Sequence, residues 1–398
     1  MLGPPNLFTI EDGNEHKALR KALGGPQWSF GALKNTWEPR IDSLINLFIS
    51  KMEEFASRGE SVVLCDKVAQ FAADVMALVC FGEPWGFVEK SRDEKYILKS
   101  FREGLVAFGV VGRWRGLREL MKRTPLGSMI LPKMTDDHGM GFLLGQADRL
   151  VTGREKKIEE EMFSQEKPDF MQLALEARMK GQPLSPVQKR AHVTILVMAG
   201  ADTTGTALGS TLNYLLTHPK CLAKAREEID AADAKGLLSS PVQYEETRQH
   251  LPYMAACIKE GGLRLRPPAT NLFGRVIGKG GAQINGIWLP EGTEVTSNAY
   301  VVQRDRGLFG PDSEHFRPER WLESEEKSAK MEAAMFVFGV GPRVCLGKDI
   351  AVFELYKLLP EIIRRLDMEL VREGRYMIAS GVAYNVDLVV NLKVRKTS

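Results

Sequence analysis

Phe338-Gly-Val-Gly-Pro-Arg-Val-Cys-Leu-Gly347 places three glycines, a proline, an arginine and a cysteine directly before an apolar pattern of helical spacing that runs from Lys348 to Arg365. Glycine permits backbone conformations and close approaches that a Cβ would forbid, so a loop of this composition brings main chain up against something large. The helix after Gly347 points its positive end back at Cys345, which predicts a lowered thiol pKa. A phosphate-cradling loop is excluded. Val344 stands where a dinucleotide fingerprint needs its third glycine, and no Walker lysine and serine follow. The other cysteines, Cys65, Cys80, Cys221 and Cys257, read as buried thiols.

Upstream of this loop, from about Glu15 to His250, apolar residues recur at helical spacing, with Pro and Gly confined mostly to the breaks. Helices are expected over Glu15–Leu23, Glu38–Ser57, Asp66–Phe81, Glu94–Phe108, Phe142–Glu161, Asp169–Lys180 and Pro219–Ala232. The longest has the best-marked start: Ser185-Pro186-Val187-Gln188 combines an N-cap serine, proline at the first helical position and a capping-box glutamine, and the helix should run to about Thr217. After Pro267 the text turns to short strand-like runs, Leu272–Ile277 and Glu294–Asn298, and further strands are expected near Val386–Val394. The chain therefore reads as one domain, mainly α with a small β-sheet region. Residues 1–266 form its mostly helical part, and 267–398 carry the sheet region, the cysteine loop and the C-terminal helix.

With 54 basic and 51 acidic side chains the net charge is only +3, which argues against a nucleic-acid binder. Hydrophobic and charged fractions of 44% and 26% are those of a compact globular chain. Five cysteines without a Cys-x-x-Cys pair favour a reducing, intracellular compartment. The most apolar stretch, Val193–Ala201, is about half the length of a membrane span, so no transmembrane segment is expected. Nor does the start resemble a signal peptide.

The cysteine loop resembles the haem-binding signature of the cytochrome P-450 superfamily, Phe-Gly-x-Gly-x-Arg-x-Cys-x-Gly, at Phe338, Gly339, Gly341, Arg343, Cys345 and Gly347. The resemblance implies haem as cofactor, Cys345 as its axial metal ligand, Phe338 as a cofactor contact and Arg343 as a propionate partner. Within the long helix, Ala199-Gly-Ala-Asp-Thr-Thr204 puts an acid and two hydroxyls into an apolar setting. Alone, these threonines would bond back to the preceding turn. Beside the cysteine loop the segment resembles the family's oxygen-activation motif, with a groove near Gly200 and with Asp202 and Thr203 as catalytic proton carriers. His16 and Arg20, spaced i and i+4, resemble the family's propionate-binding pair, and Arg275 a third propionate partner. Read singly, each would be a solvated surface charge. Ala269–Leu272 would line the substrate pocket.

Phe316-Arg-Pro-Glu-Arg-Trp321 resembles the family's Pro-Glu-Arg segment, in which Arg320 would close a buried ion-pair network with a helical Glu and Arg. Here the sequence departs from the pattern: the family spaces that Glu and Arg three apart, whereas Glu260 and Arg264 are four apart, as though one glycine had been inserted. Both spacings keep the pair on one helix face. An inserted residue nevertheless rotates what precedes it by about 100° unless a π-bulge absorbs it, and misplacing one member of a buried network costs about 3–5 kcal/mol. A bulge at Gly261-Gly262 is expected.

The resemblance extends from His16 to the C-terminus, and it implies on the order of 100 further residues before His16. Their absence predicts an open strand edge at Leu272–Ile277 or Glu294–Asn298, and a fold lacking the family's N-terminal strands and anchor. Phe81-Gly-Glu-Pro-Trp-Gly-Phe87 is similar to fungal members near the pisatin demethylases. The implied activity is monooxygenation: insertion of an oxygen atom from O2 into a small apolar organic substrate, in secondary metabolism, with electrons from an NADPH-dependent flavoprotein reductase. That reductase would dock near Lys17, Lys21 and Lys348. The implied location is cytosolic, or peripheral on the cytosolic face of the endoplasmic reticulum. Two rivals stand beside this reading, a catalytically silent haem-binding remnant and a haem-thiolate isomerase or dehydratase.

Overall fold

The computed structural model describes residues 6–25, 28–124, 132–160, 169–271 and 274–395. The long helix Pro186–Thr217 is its axis, opened by the expected capping box, in which the Ser185 hydroxyl and Gln188 side chain each bond the other residue's backbone N–H. The helix Leu64–Phe81 lies along it and is buried over nearly its whole length, which explains its mostly apolar sequence. The two backbones approach closely at Gly205, where a Cβ would lie 2.7 Å from the Ala69 Cα.

Around this pair pack the helices Gly13–Leu23, Glu38–Arg58, Ile97–Arg113, Gly139–Glu159, Pro219–Ala234 and Lys348–Arg365. The last is tied to Glu38–Arg58 through a buried ammonium: Lys357 Nζ donates to Glu38 Oε1 at 2.8 Å and to Gln243 Oε1 at 3.0 Å. Buried Asp74 shapes the turn after Phe81. Its carboxylate accepts from the backbone N–H groups of Trp85, Gly86 and Val88 at 2.8–2.9 Å, and Trp85 stacks on Phe81.

The strands are short and antiparallel. Val62–Val63, Val389–Val394 and Leu366–Arg372 form one sheet with the second of these in the middle, and Arg375–Ala379 pairs with Val382–Val386. Arg275–Val276 pairs only with Glu294–Val295, so among the described residues both keep the free edge expected of them. Leu272 falls outside the described residues.

Two stretches differ from the sequence reading. The helix expected over Asp169–Lys180 spans only Phe170–Glu176. It gives way to a hairpin, Arg178–Met179 against Gln182–Pro183, because Lys180 and Gly181 both take positive φ, 52° and 82°. The run Glu294–Asn298 shortens to two strand residues, and Asn298 caps the helical turn Ala299–Val302 with its side chain.

Candidate functional site

The Cys345 loop is held by its own backbone. Gly339 and Gly341 take φ of 73° and 68°, which side chains disfavour. The Cys345 N–H donates to the Phe338 carbonyl at 2.7 Å and the Val344 N–H to that of Gly341 at 3.1 Å. Phe338 packs half-buried against the core. Cys345 is exposed, whereas Cys65, Cys80 and Cys257 are buried. Its pKa nevertheless stands above the usual thiol value because surrounding protein desolvates it; the Gly347 N–H and the charges of Arg20 and Lys348 pull the other way without winning. The lowered pKa expected from the helix end is thus corrected: dehydration outweighs the dipole until a cation meets the sulfur.

Facing the loop is a group of cations. Arg20 Nη1 donates to the Val344 carbonyl at 2.7 Å and Arg343 Nη2 to the Ile10 carbonyl at 2.7 Å, which lashes the helix Gly13–Leu23 and its approach to the cysteine loop. Arg275 is exposed, and among the described residues its guanidinium bonds only the Gly274 carbonyl, at 3.1 Å. His16 is buried, and its pKa is lowered first by desolvation and then by Arg343, Arg20 and Arg275. No carboxylate of the described residues forms an ion pair with any of the three arginines. Like charges held this way call for an anion, and guanidinium forks match carboxylates. The arrangement fits a large planar group bearing acid side chains, seated between the thiol and these cations.

The long helix supplies the other wall. Asp202 is buried, and its Oδ1 accepts from Arg102 Nε at 2.9 Å and Nη2 at 2.8 Å. Its Oδ2 has no partner among the described residues. Burial raises the Asp202 pKa while Arg102 opposes the rise. Thr203 is half-buried and its Oγ1 donates to the Ala199 carbonyl at 2.7 Å. At Gly200 a Cβ would run into the Met76 side chain of the neighbouring helix. Gly200 serves helix packing, while exposed Ala199 and half-buried Thr203 form the open strip. Arg102 went unnoticed in the sequence. Ala269 bridges Val382 rather than standing free.

The spacing anomaly is absorbed. Residues Ile258–Leu265 are π-helical, which is the bulge expected at Gly261-Gly262. Glu260 accepts from Arg264 Nε and Nη2 at 2.7 Å each, from Arg320 Nε at 2.8 Å and from Trp321 Nε1 at 2.9 Å. Arg264 Nη1 donates to the Gln303 carbonyl at 2.8 Å, and Gln303 Oε1 accepts from the Phe336 N–H at 3.2 Å. The network thereby reaches the chain just before Phe338. One motive for the silent-remnant reading disappears with this intact network.

These features define the class, a haem-thiolate protein. The cytochrome P450 family profile matches residues 6–380, and the chain belongs to that family, as a cytochrome P450 monooxygenase with haem as cofactor. A cytochrome P450 monooxygenase of Aspergillus terreus is 33% identical over 372 residues, covering 92% of this chain and 73% of the relative. The cytochrome P450 monooxygenase cicH of Emericella nidulans is 32% identical over 408 residues, covering 98% and 77%. A crystal structure of a cytochrome P450 superposes with a TM-score of 0.78 at 21% identity, over 99% of this chain and 82% of that one. Among the described residues no helix is long and apolar enough to cross a membrane.

Proposed function

We propose that this chain inserts one oxygen atom of O2 into a small apolar organic substrate of secondary metabolism, with Cys345 as axial ligand. The observation that carries the proposal is the exposed thiol set opposite three guanidiniums that lack carboxylate partners. Bound there, haem supplies oxygen activation, which a cysteine thiolate favours by pushing electron density onto the iron. Arg20, Arg275, Arg343 and His16 bind its acid groups, and Phe338 packs against it. Burial raises the Asp202 pKa against the pull of Arg102, and Oδ2, without a partner among the described residues, is the atom through which a proton would pass. Thr203 stands one residue along on the open strip, and its Oγ1 lone pairs remain available to accept. Lys17, Lys21 and Lys348 are exposed, the first two on the helix that Arg20 ties to the cysteine loop, and would offer charge to an NADPH-dependent flavoprotein reductase.

The reduced, carbon-monoxide-bound absorption spectrum tests the ligand. A thiolate-type Soret band that is lost in Cys345→Ser supports the assignment; a band unchanged by that substitution overturns it. Substrate-dependent consumption of NADPH and O2 in step with a hydroxylated product supports oxygenation, and product formation without either favours isomerisation or dehydration.

A further inference from the structure

Beside the C-terminal end of the long helix, away from the cysteine loop, lies a cleft of about 610 Å³ lined by tyrosines and arginines. Arg266 stands over the Tyr214 ring, 4.9 Å from its centroid, and 6.0 Å from that of Tyr376. Tyr376 stacks in turn with Tyr300, their planes 14° apart and centroids 6.1 Å apart. The charges here are not equally available. Arg304 is spent on Glu314, the Tyr300 carbonyl and the Leu265 carbonyl at 2.6–2.8 Å, and Arg375 on Asp387. The Tyr376 hydroxyl is committed to the Pro267 carbonyl at 2.6 Å. Arg266 is different. Its Nη1 is buried with no hydrogen-bond partner among the described residues, and its contact with the exposed carboxylate of Glu373 is a loose 3.8 Å.

A buried guanidinium N–H without an acceptor is costly, and an anion that reached it would make a charge-assisted bond. Tyr214 is already stacked on Phe316, their centroids 4.9 Å apart, so its edge and the Tyr376–Tyr300 pair are what favour a ring over an aliphatic tail, and the volume lies within the ordinary range for small-molecule clefts. We propose that this cleft is a second ligand site, separate from the haem chamber, for an aromatic ring bearing one carboxylate. The carboxylate meets Arg266 Nη1, the ring lies against Tyr376 and the edge of Tyr214, and Glu373 sets affinity by competing for the same cation.

The test uses the haem-loaded full chain and titrates 2-naphthoate by calorimetry, with acetate as the charge-only control and 2-naphthol as the ring-only control, while the Soret band reports entry into the haem chamber. The expected result is saturable 2-naphthoate binding with a dissociation constant of about 1 mM or below, at least about tenfold tighter than either control and without a Soret shift. Arg266→Gln should weaken it about tenfold, and Glu373→Gln should tighten it severalfold. Neither side chain is in the haem site or buried in an ion-pair network, so both variants should keep the wild-type melting temperature. Absence of saturation overturns the proposal. So does a Soret shift that tracks occupancy, or equal affinity in wild type and both variants.

Discussion

Glu260 and Arg264 are bonded through both carboxylate oxygens, at 2.7 Å each, although they stand four residues apart on a segment that is π-helical rather than α-helical. The wider turn takes up the extra residue between them, and Gly262 makes the turn fit. A Cβ on Gly262 would lie 2.5 Å from the Ala207 carbonyl oxygen and 2.5 Å from Thr211 Oγ1, both on the long helix. A Cβ on Gly261 would meet the rings of Phe316 and Tyr214 at 3.2 Å and the Thr211 Cα of the long helix at 3.4 Å, all looser contacts. Gly262→Ala should therefore cost about 2–3 kcal/mol in urea denaturation and Gly261→Ala distinctly less. Equal costs would mean that the long helix does not dictate the bulge.

Removing the acid itself is a harsher change. Glu260→Gln leaves Arg264 and Arg320 buried without their shared charge, and the expected loss is about 3–5 kcal/mol. Circular dichroism melts of the haem-loaded protein measure it.

The Arg102–Asp202 pair makes a prediction in which pH is the discriminator. Asp202 already titrates above the ordinary carboxylate range because it is buried, and Arg102 restrains the rise. Without Arg102 the folded-state pKa climbs further above the unfolded value. A raised carboxyl contributes stability that is fully present below the unfolded pKa and lost as pH rises through the window above about 4. Arg102→Leu should thus be near wild type at the acid end and about 3–5 kcal/mol less stable at neutral pH, and a deficit independent of pH would refute the coupling. Asp202→Asn leaves the mostly buried Arg102 guanidinium with only its 3.4 Å contact to Asp66, so it should also lose stability at neutral pH, and it should turn over about a hundredfold more slowly.

The contrast between Glu260 and Arg102 shows what a sequence can carry. The cysteine loop, the Glu260 segment and Phe316–Trp321 are legible because their chemistry sits in contiguous residues whose order is itself the signal, and even the irregular turn at Gly261-Gly262 follows from counting residues. Arg102 lies on another helix, one hundred positions from the acid it holds, where it looks like any amphipathic-helix arginine. Only the packing of Ile97–Arg113 against the long helix brings the two together. The three unpaired arginines are of the same kind: the resemblance names them, but that no carboxylate meets them is a fact of three dimensions. Helix ends were less legible than helices, as at Lys180-Gly181. The small hairpin Ala282–Ile284 with Ile287–Leu289 went unread, although Asn285-Gly286, whose φ values of 50° and 78° suit a tight hairpin turn, carried a signal for it.

His16 and His192 give the haem-free protein an acid sensitivity. His16 is held below its ordinary pKa by burial and by three arginines. Burial also lowers His192, whose Nε2 accepts from the Leu7 N–H at 3.0 Å while Nδ1 bonds the Gln188 carbonyl at 2.6 Å. For a base with a depressed folded pKa the unfolded chain takes up protons first. Stability is therefore complete above about pH 6.5 and is lost as pH falls through the folded values. Carboxylates bound beside His16 reverse its share, since they favour the charged ring. Melting temperatures between pH 5 and 8 should fall more steeply toward acid for haem-free than for haem-loaded protein. Parallel curves would count against the cation cluster as the acid-binding site.

Glu354 carries the last prediction, and its sign is opposite to the usual one for a removed charge. It lies in the helix Lys348–Arg365, fully buried, with neither carboxylate oxygen hydrogen-bonded among the described residues. Burial alone holds its pKa well above the ordinary value, so its stability contribution is greatest below the unfolded pKa and is eroded as pH rises. Replacing it with an apolar side chain of similar size removes an unsatisfied polar group, and Glu354→Leu should stabilise the protein by about 1–3 kcal/mol at neutral pH and by less under acid conditions. Glu361, about two turns further along the same face of the helix, is the control. It too is buried, but its Oε2 accepts from the Val242 N–H at 3.1 Å, so Glu361→Leu strands that donor and should destabilise. Matched urea titrations of the two variants at pH 5 and 8 decide it, because a Glu354→Leu protein weaker than wild type at both values would show that the carboxyl has a partner and is held for it.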